Sequence, residues 1–117
     1  MAKLTETFPE LAKELGDGLR LMGRTDLADQ VGSAEVKDVS FDSDVSAGNV
    51  YLEPSQGLNV VEANVIGSRY RTSISVDTPF GTVVDLDNYG RVTSIEVLAP
   101  GSLAAELERQ SRASSAS

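Results

Sequence analysis

The chain has no cysteine, no histidine and no tryptophan, and only three phenylalanines and three tyrosines among 117 residues. Without cysteine there is no disulfide framework, thiolate nucleophile, iron–sulfur cluster or thiolate zinc site. Without histidine there is no imidazole base, no Ser-His-Asp triad and no histidine metal ligand. Catalysis would have to rest on carboxylates, hydroxyls, Lys and Arg, so a non-enzyme is the expectation. Long apolar runs are also lacking, and nothing reads as a transmembrane segment. The opening "MAKLTETFPE" has no continuous apolar core of the signal-peptide kind, which makes a cytoplasmic protein the default expectation. No cofactor is called for by any motif.

Positive charge is scarce as well. Ten Lys and Arg stand against eighteen Asp and Glu, a net charge of −8. A nucleic-acid or anionic-membrane binder needs a basic footprint, and "RYR" at 69–71 is the densest basic spot. Neither nucleic acid nor membrane is expected as a partner. An acidic surface suits a basic protein partner, or simply solubility.

What is present is one domain's worth of residues, 40% hydrophobic, enough for a modest core. Residues 1–35 read as helix. Thr7 and Glu10 have capping-box spacing, and Phe8, Leu11, Ala12, Leu15, Leu19 and Met22 follow a helical period up to Gly23. A second, shorter helix is expected from Thr25 as N-cap to just before Gly32. A helix-turn-helix with only Arg20 and Arg24 between 14 and 36 has too few cations for DNA phosphates, so two helices covering a sheet is the simpler reading. Leu15, Leu19 and Met22 form an apolar stripe that suits a partner, or this chain's own sheet.

From 36 to 101 the texture is strand, with Val, Ile, Thr and Ser in short runs between turn residues. Strands are expected near 36–42, 49–53, 58–66, 69–77, 82–87 and 91–98. The connections are too short for parallel crossovers, which implies antiparallel neighbours. Thr78-Pro79-Phe80-Gly81 has the residues of a β-turn, and Asp42 and Asp44 read as Asx-type turn residues. Residues 102–117 predict a brief helix through Leu103 and Leu107 and a disordered tail, "SRASSAS". The fold class is therefore α+β: an antiparallel meander of five to six strands, two N-terminal helices and a short C-terminal helix.

One stretch, "VVDLDNYGRVTSIEVL" at 83–98, supports two readings. Counted from Asp85, the positions of Asp85, Asp87, Gly90 and Glu96 match a calcium loop of the EF-hand type. Tyr89 stands where a carboxylate belongs, and Pro79 and Gly81 prevent a helix before the loop. The hairpin reading uses the same residues: Asp87 opens a type I turn, Asn88 and Tyr89 fill its centre, and Gly90 takes the left-handed position. In that register Leu86 faces Val92, Asp85 faces Thr93 and Val83 faces Ile95. Glu96 then points to the opposite face, about 10 Å along the strand from Asp85, too far to share an ion.

These residues resemble the signature hairpin of a small bacterial family, the domain of unknown function 2283. Its V-D-x-D-x-x-G-R-hydrophobic-x-x-I-E-hydrophobic-L pattern is filled here by Asp85, Asp87, Gly90, Arg91, Ile95, Glu96 and Leu98. "FDSDVSAGNVYL" at 41–52 is similar to the family's opening strand and turn, with a loop about two residues longer. The resemblance covers roughly residues 39–98, and the N-terminal helices lie outside it. It implies a compact antiparallel sheet domain from the bacterial or phage cytoplasm without an established activity, and an antitoxin-like role for a protein paired with a toxin-like neighbour.

Three functional expectations follow. The first is a small acidic non-enzymatic module, with a homodimer in view, that binds or inhibits a partner protein through Leu15, Leu19, Met22, Asp85, Asp87 and Glu96. The second is a weak calcium-binding module through the 85–96 loop. The third is a carboxylate-based enzyme.

Overall fold

The computed structural model describes residues 2–53, 72–87 and 90–115, with side chains through 113. Three helices come first: α1 (Leu4–Thr7), α2 (Pro9–Leu21) and α3 (Thr25–Ser33). The anticipated capping box at Thr7 and Glu10 is not formed. Thr7 ends α1, and α2 starts instead at Pro9 with Phe8 as N-cap and no side-chain cap. Proline suits that first position because its fixed φ is helical and the N–H it lacks would have no partner there. At the other end Gly23, at φ 77°, lets Arg24 N–H donate back to the Leu19 carbonyl at 2.8 Å and stop the helix. Arg24, not Thr25, is the N-cap of α3, and that helix runs through Gly32 to Ser33.

The sheet has five strands, all antiparallel: β1 (Glu35–Asp42), β2 (Ala47–Glu53), β3 (Thr72–Val76), β4 (Thr82–Leu86) and β5 (Val92–Val97). Their order is β1-β2-β5-β4-β3, a hairpin laid beside a three-stranded meander, with β5 rather than β3 against β2. The expected strand over 58–66 lies outside the described residues, and that over 69–77 is seen as β3. Both turns anticipated from sequence form: Gly81 N–H donates to the Thr78 carbonyl at 3.2 Å, and Asp44 N–H donates to Asp42 Oδ1 at 2.9 Å.

Strand alternation gives the sheet two unlike faces. One row of paired residues crosses all five strands as Val39, Val50, Ile95, Val84 and Ile74, and a second as Phe41, Gly48, Val97, Thr82 and Val76. The helices cover this apolar face. Leu4, Phe8, Leu11, Leu15, Leu19, Leu27 and Val31 join it in one buried cluster that extends to Leu103 and Leu107. The segments 1–35, 36–101 and 102–117 thus share a single core. After a short 3-10 turn (Gly101–Leu103), α4 (Ala104–Ser115) packs chiefly on β1. Its helix continues through most of the expected disordered tail. Glu106 pairs with Arg109 and Glu108 with Arg112 one turn apart, and buried Leu107 docks it.

Candidate functional site: the open face of the sheet

The face away from the helices carries most of the polar residues of the strands. Asp38, Tyr51, Ser94, Asp85 and Ser73 form one row across it, and Ser40, Asn49, Glu96, Val83 and Ser75 the next. Glu35 and Glu53 are opposite each other at one end of the β1–β2 pair, and Asp42 lies at the other. The face is therefore acidic, and Lys37, the extra residue of a bulge in β1, is the cation next to it among the described strands. Near its middle Tyr51 is 39% exposed, a large ring among carboxylates.

The 83–98 hairpin supplies the centre of this face. Gly90, at φ 75°, donates to the Asp87 carbonyl at 3.1 Å, and Asp87 N–H donates to the Arg91 carbonyl at 3.0 Å. This closes the turn as the sequence implies, with its central residues 88 and 89 outside the described set. The Asp87 side chain is committed to the same turn: its oxygens accept from Arg91 N–H at 2.9 Å and Arg91 Nε at 2.8 Å. Asp87 is an architectural carboxylate.

The register beyond the turn departs from the expected one. Leu86 does face Val92, but Asp85 faces Ser94, Val84 faces Ile95 and Val83 faces Glu96. Thr93 is the additional residue of a β-bulge, and its hydroxyl donates to the Asp85 carbonyl oxygen at 3.2 Å. The cause is burial. Val92, Ile95 and Val97 are all in the core, and only an inserted residue lets a spacing of three and then two place all three on one face. Glu96 is consequently on the same face as Asp85, not the opposite one. As diagonal cross-strand neighbours their Cβ atoms are within roughly 7–8 Å, inside reach of each other's side chains.

Asp85 is held from both sides, by the Ser73 hydroxyl on β3 at 2.6 Å and the Ser94 hydroxyl on β5 at 2.8 Å. Glu96 titrates above the ordinary glutamate value of 4.5; partial burial is the largest cause, then the charge of Asp85 and a side-chain hydrogen bond with it. The arrangement can hold a proton between two carboxyl groups or receive a cationic side chain. Among the described residues no three potential metal ligands gather at one place.

The helical candidates are placed differently. Leu15 and Leu19 are 0% exposed inside the chain's own core, so the stripe is not offered to a partner. The period continues to Met22, but α2 ends at Leu21 and leaves Met22, its C-cap, 45% exposed. Sequence reasoning missed Tyr51, Ser73 and Ser94, whose grouping depends on strand order. It also missed Gln30, a buried α3 side chain. Gln30 Nε2 donates to the Gly90 carbonyl at 3.2 Å and Oε1 accepts from Val92 N–H at 2.9 Å, which fastens the hairpin to the helix layer. The Val92–Ile95 spacing of three was a legible signal for the bulge; Gln30 had none.

Among known proteins, no family model, no curated protein and no solved structure matches the chain. Among the described residues no helix is long and apolar enough to cross a membrane.

Proposed function

We propose that this chain is a non-enzymatic, cytoplasmic protein-interaction module that binds or inhibits a basic partner protein with the open face of its sheet, in an antitoxin-like manner. The observation that carries the reading is Tyr51, exposed near the middle of a face bearing Glu35, Asp38, Glu53, Asp85 and Glu96. An aromatic ring flanked by carboxylates is a receptor for Arg or Lys side chains, through stacking and cation–π attraction combined with ion pairing. The net charge of −8 would steer a cationic partner towards it. Kinship of the 83–98 hairpin with the domain of unknown function 2283 belongs to the same proposal.

The test is capture of a partner from the host by the tagged chain, repeated with Tyr51→Ala and Asp38→Lys. Retention that is lost in both variants and weakened by salt supports the reading. A partner retained equally by all three proteins removes this face from it.

A second reading, acid–base catalysis by Asp85 and Glu96, has in its favour two carboxyls close together on one face, with the titration of Glu96 raised by burial and by the Asp85 charge. Among the described residues no element covers the pair on this sheet face, which favours binding over catalysis.

A further inference from the structure

The C-terminal helix α4 is fastened to the body at few points. Leu107 is the one buried side chain among its described residues 104–113, and Leu103 of the preceding 3-10 turn is the other leucine this segment brings to the core. The charged residues of α4 bond within the helix: the Glu106 carboxylate accepts from Arg109 and Gln110, and the Glu108 carboxylate from Arg112. These pairs are three or four residues apart, so they stay with the helix wherever it is docked.

The body offers this helix a shaped seat. Gly48 of β2 lies in the apolar row between Phe41 and Val97, and a Cβ there would come 3.1 Å from Leu107 Cδ1 and 3.4 Å from Cδ2. Leu107 thus takes up the space that a side chain at position 48 would need. The connection to the seat is short. Leu98 and Ala99 N–H donate to the Gly81 and Phe80 carbonyls, each at 2.8 Å, which ties the chain to the sheet as far as Ala99. Gly101, at φ 53°, and Ser102 are exposed, and the chain turns back onto β1 and β2 directly after them. A short hinge next to an element held by few contacts is the arrangement from which identical elements are exchanged between copies.

We propose that two copies of this chain exchange α4 about the hinge at Pro100–Ser102, each seating its Leu107 against Gly48 of the other copy. The seat itself identifies the occupant: α4 is the segment shown to fit it, and a second copy carries the same segment. The exchange is reciprocal, as a two-fold pair requires. Every contact that α4 gives up by leaving its own body is regained on the other, so the pair loses chiefly the entropy of association, which concentration offsets. Charge does not oppose the step at the seat. With Glu106 and Glu108 balanced by Arg109 and Arg112, α4 enters an acidic body as a neutral element.

The test uses purified full chains only, so it is independent of any partner protein. Gly48→Val fills the seat but keeps α4, and Leu107→Asp keeps the seat but spoils the helix that fits it. Neither variant by itself has both halves of the contact. In an equimolar mixture the first supplies the helix and the second the seat. Sedimentation equilibrium is expected to show a wild type that dimerises as concentration rises, two monomeric variants, and a mixture that forms a mixed dimer. In that dimer the α4 amides of the Gly48→Val copy should exchange hydrogen at least about tenfold more slowly than in the variant by itself. A wild type that is monomeric at every concentration overturns the proposal, as does a mixture with no dimer or no added protection. So does a Leu107→Asp protein that dimerises by itself, since its contact then lies elsewhere. If Gly48→Val fails to fold, Gly48→Ala takes its place, because its Cβ already crowds Leu107.

Discussion

Asp85 and Glu96 lie diagonally across the β4–β5 pair on one face of the sheet, because Thr93 is an extra residue between the rungs Leu86–Val92 and Asp85–Ser94. Without that residue the two carboxyls would be on opposite faces, and the open face would lose the acidic pair at its centre.

Glu96 is therefore expected to oppose folding when ionised. Its titration is raised in the folded chain, so the folded state binds this proton more tightly than the unfolded one. The cost is absent below the ordinary value of 4.5 and grows as pH rises through the higher folded value. Glu96→Gln, which keeps a hydrogen-bond donor for Asp85, should raise the melting temperature modestly at pH 7 and leave it unchanged near pH 4. Thermal unfolding of both proteins across that range checks the sign; a variant less stable at pH 7 would contradict it.

Gln30 should be a stability residue despite its polar chemistry. Gln30→Leu leaves the buried Val92 N–H without its partner, at a cost of about 1–3 kcal/mol, while the carbonyl of the exposed Gly90 can turn to water. Urea denaturation is expected to show a loss of roughly 1–3 kcal/mol with an unchanged m-value. A loss below half a kcal/mol would mean that the hairpin exit holds its geometry without the helix.

Two glycines in one helix should respond oppositely to alanine. At Gly16 a Cβ meets only the flexible end of Arg20, at 3.3 Å, so Gly16→Ala should stabilise by up to about 1 kcal/mol through helix propensity. At Gly18 the Cβ would press on Val76 Cγ1 at 2.7 Å and the Asp77 carbonyl at 3.1 Å. Overpacking of about 1–3 kcal/mol then outweighs the propensity gain, and Gly18→Ala should be destabilising. Chemical denaturation of the two variants side by side decides this.

Calcium at millimolar concentration should leave the melting temperature unchanged. Asp87 is held by Arg91, and the bulge directs Asp85 and Glu96 to the sheet face instead of around a loop. A calcium-dependent rise of several degrees would restore the loop reading of 85–96.

Much of this protein is written locally. The 3.6-residue period of Leu11, Leu15 and Leu19, the alternation of Val84 and Leu86, and the turn chemistry of Asp87 and Gly90 each depend on neighbours a few residues away. Helices, strands and hairpins were legible from them for that reason. Composition likewise shaped the functional expectation, since a chain without His or Cys has a short list of possible chemistries.

Tertiary structure decided the rest. The placement of β5 against β2 puts Tyr51 beside Ser94 and brings it onto the row of Asp85, although 34 positions separate Tyr51 from Asp85 in the chain. The Thr93 bulge answers to a core that must hold Val92, Ile95 and Val97 at once, and Gln30 finds its partners some sixty residues away. Local propensity cannot encode such contacts, because their free energy exists only once the helices and the sheet are already packed together. The sequence by itself determined the elements and the acidity; packing determined which carboxylates, hydroxyls and ring share a face.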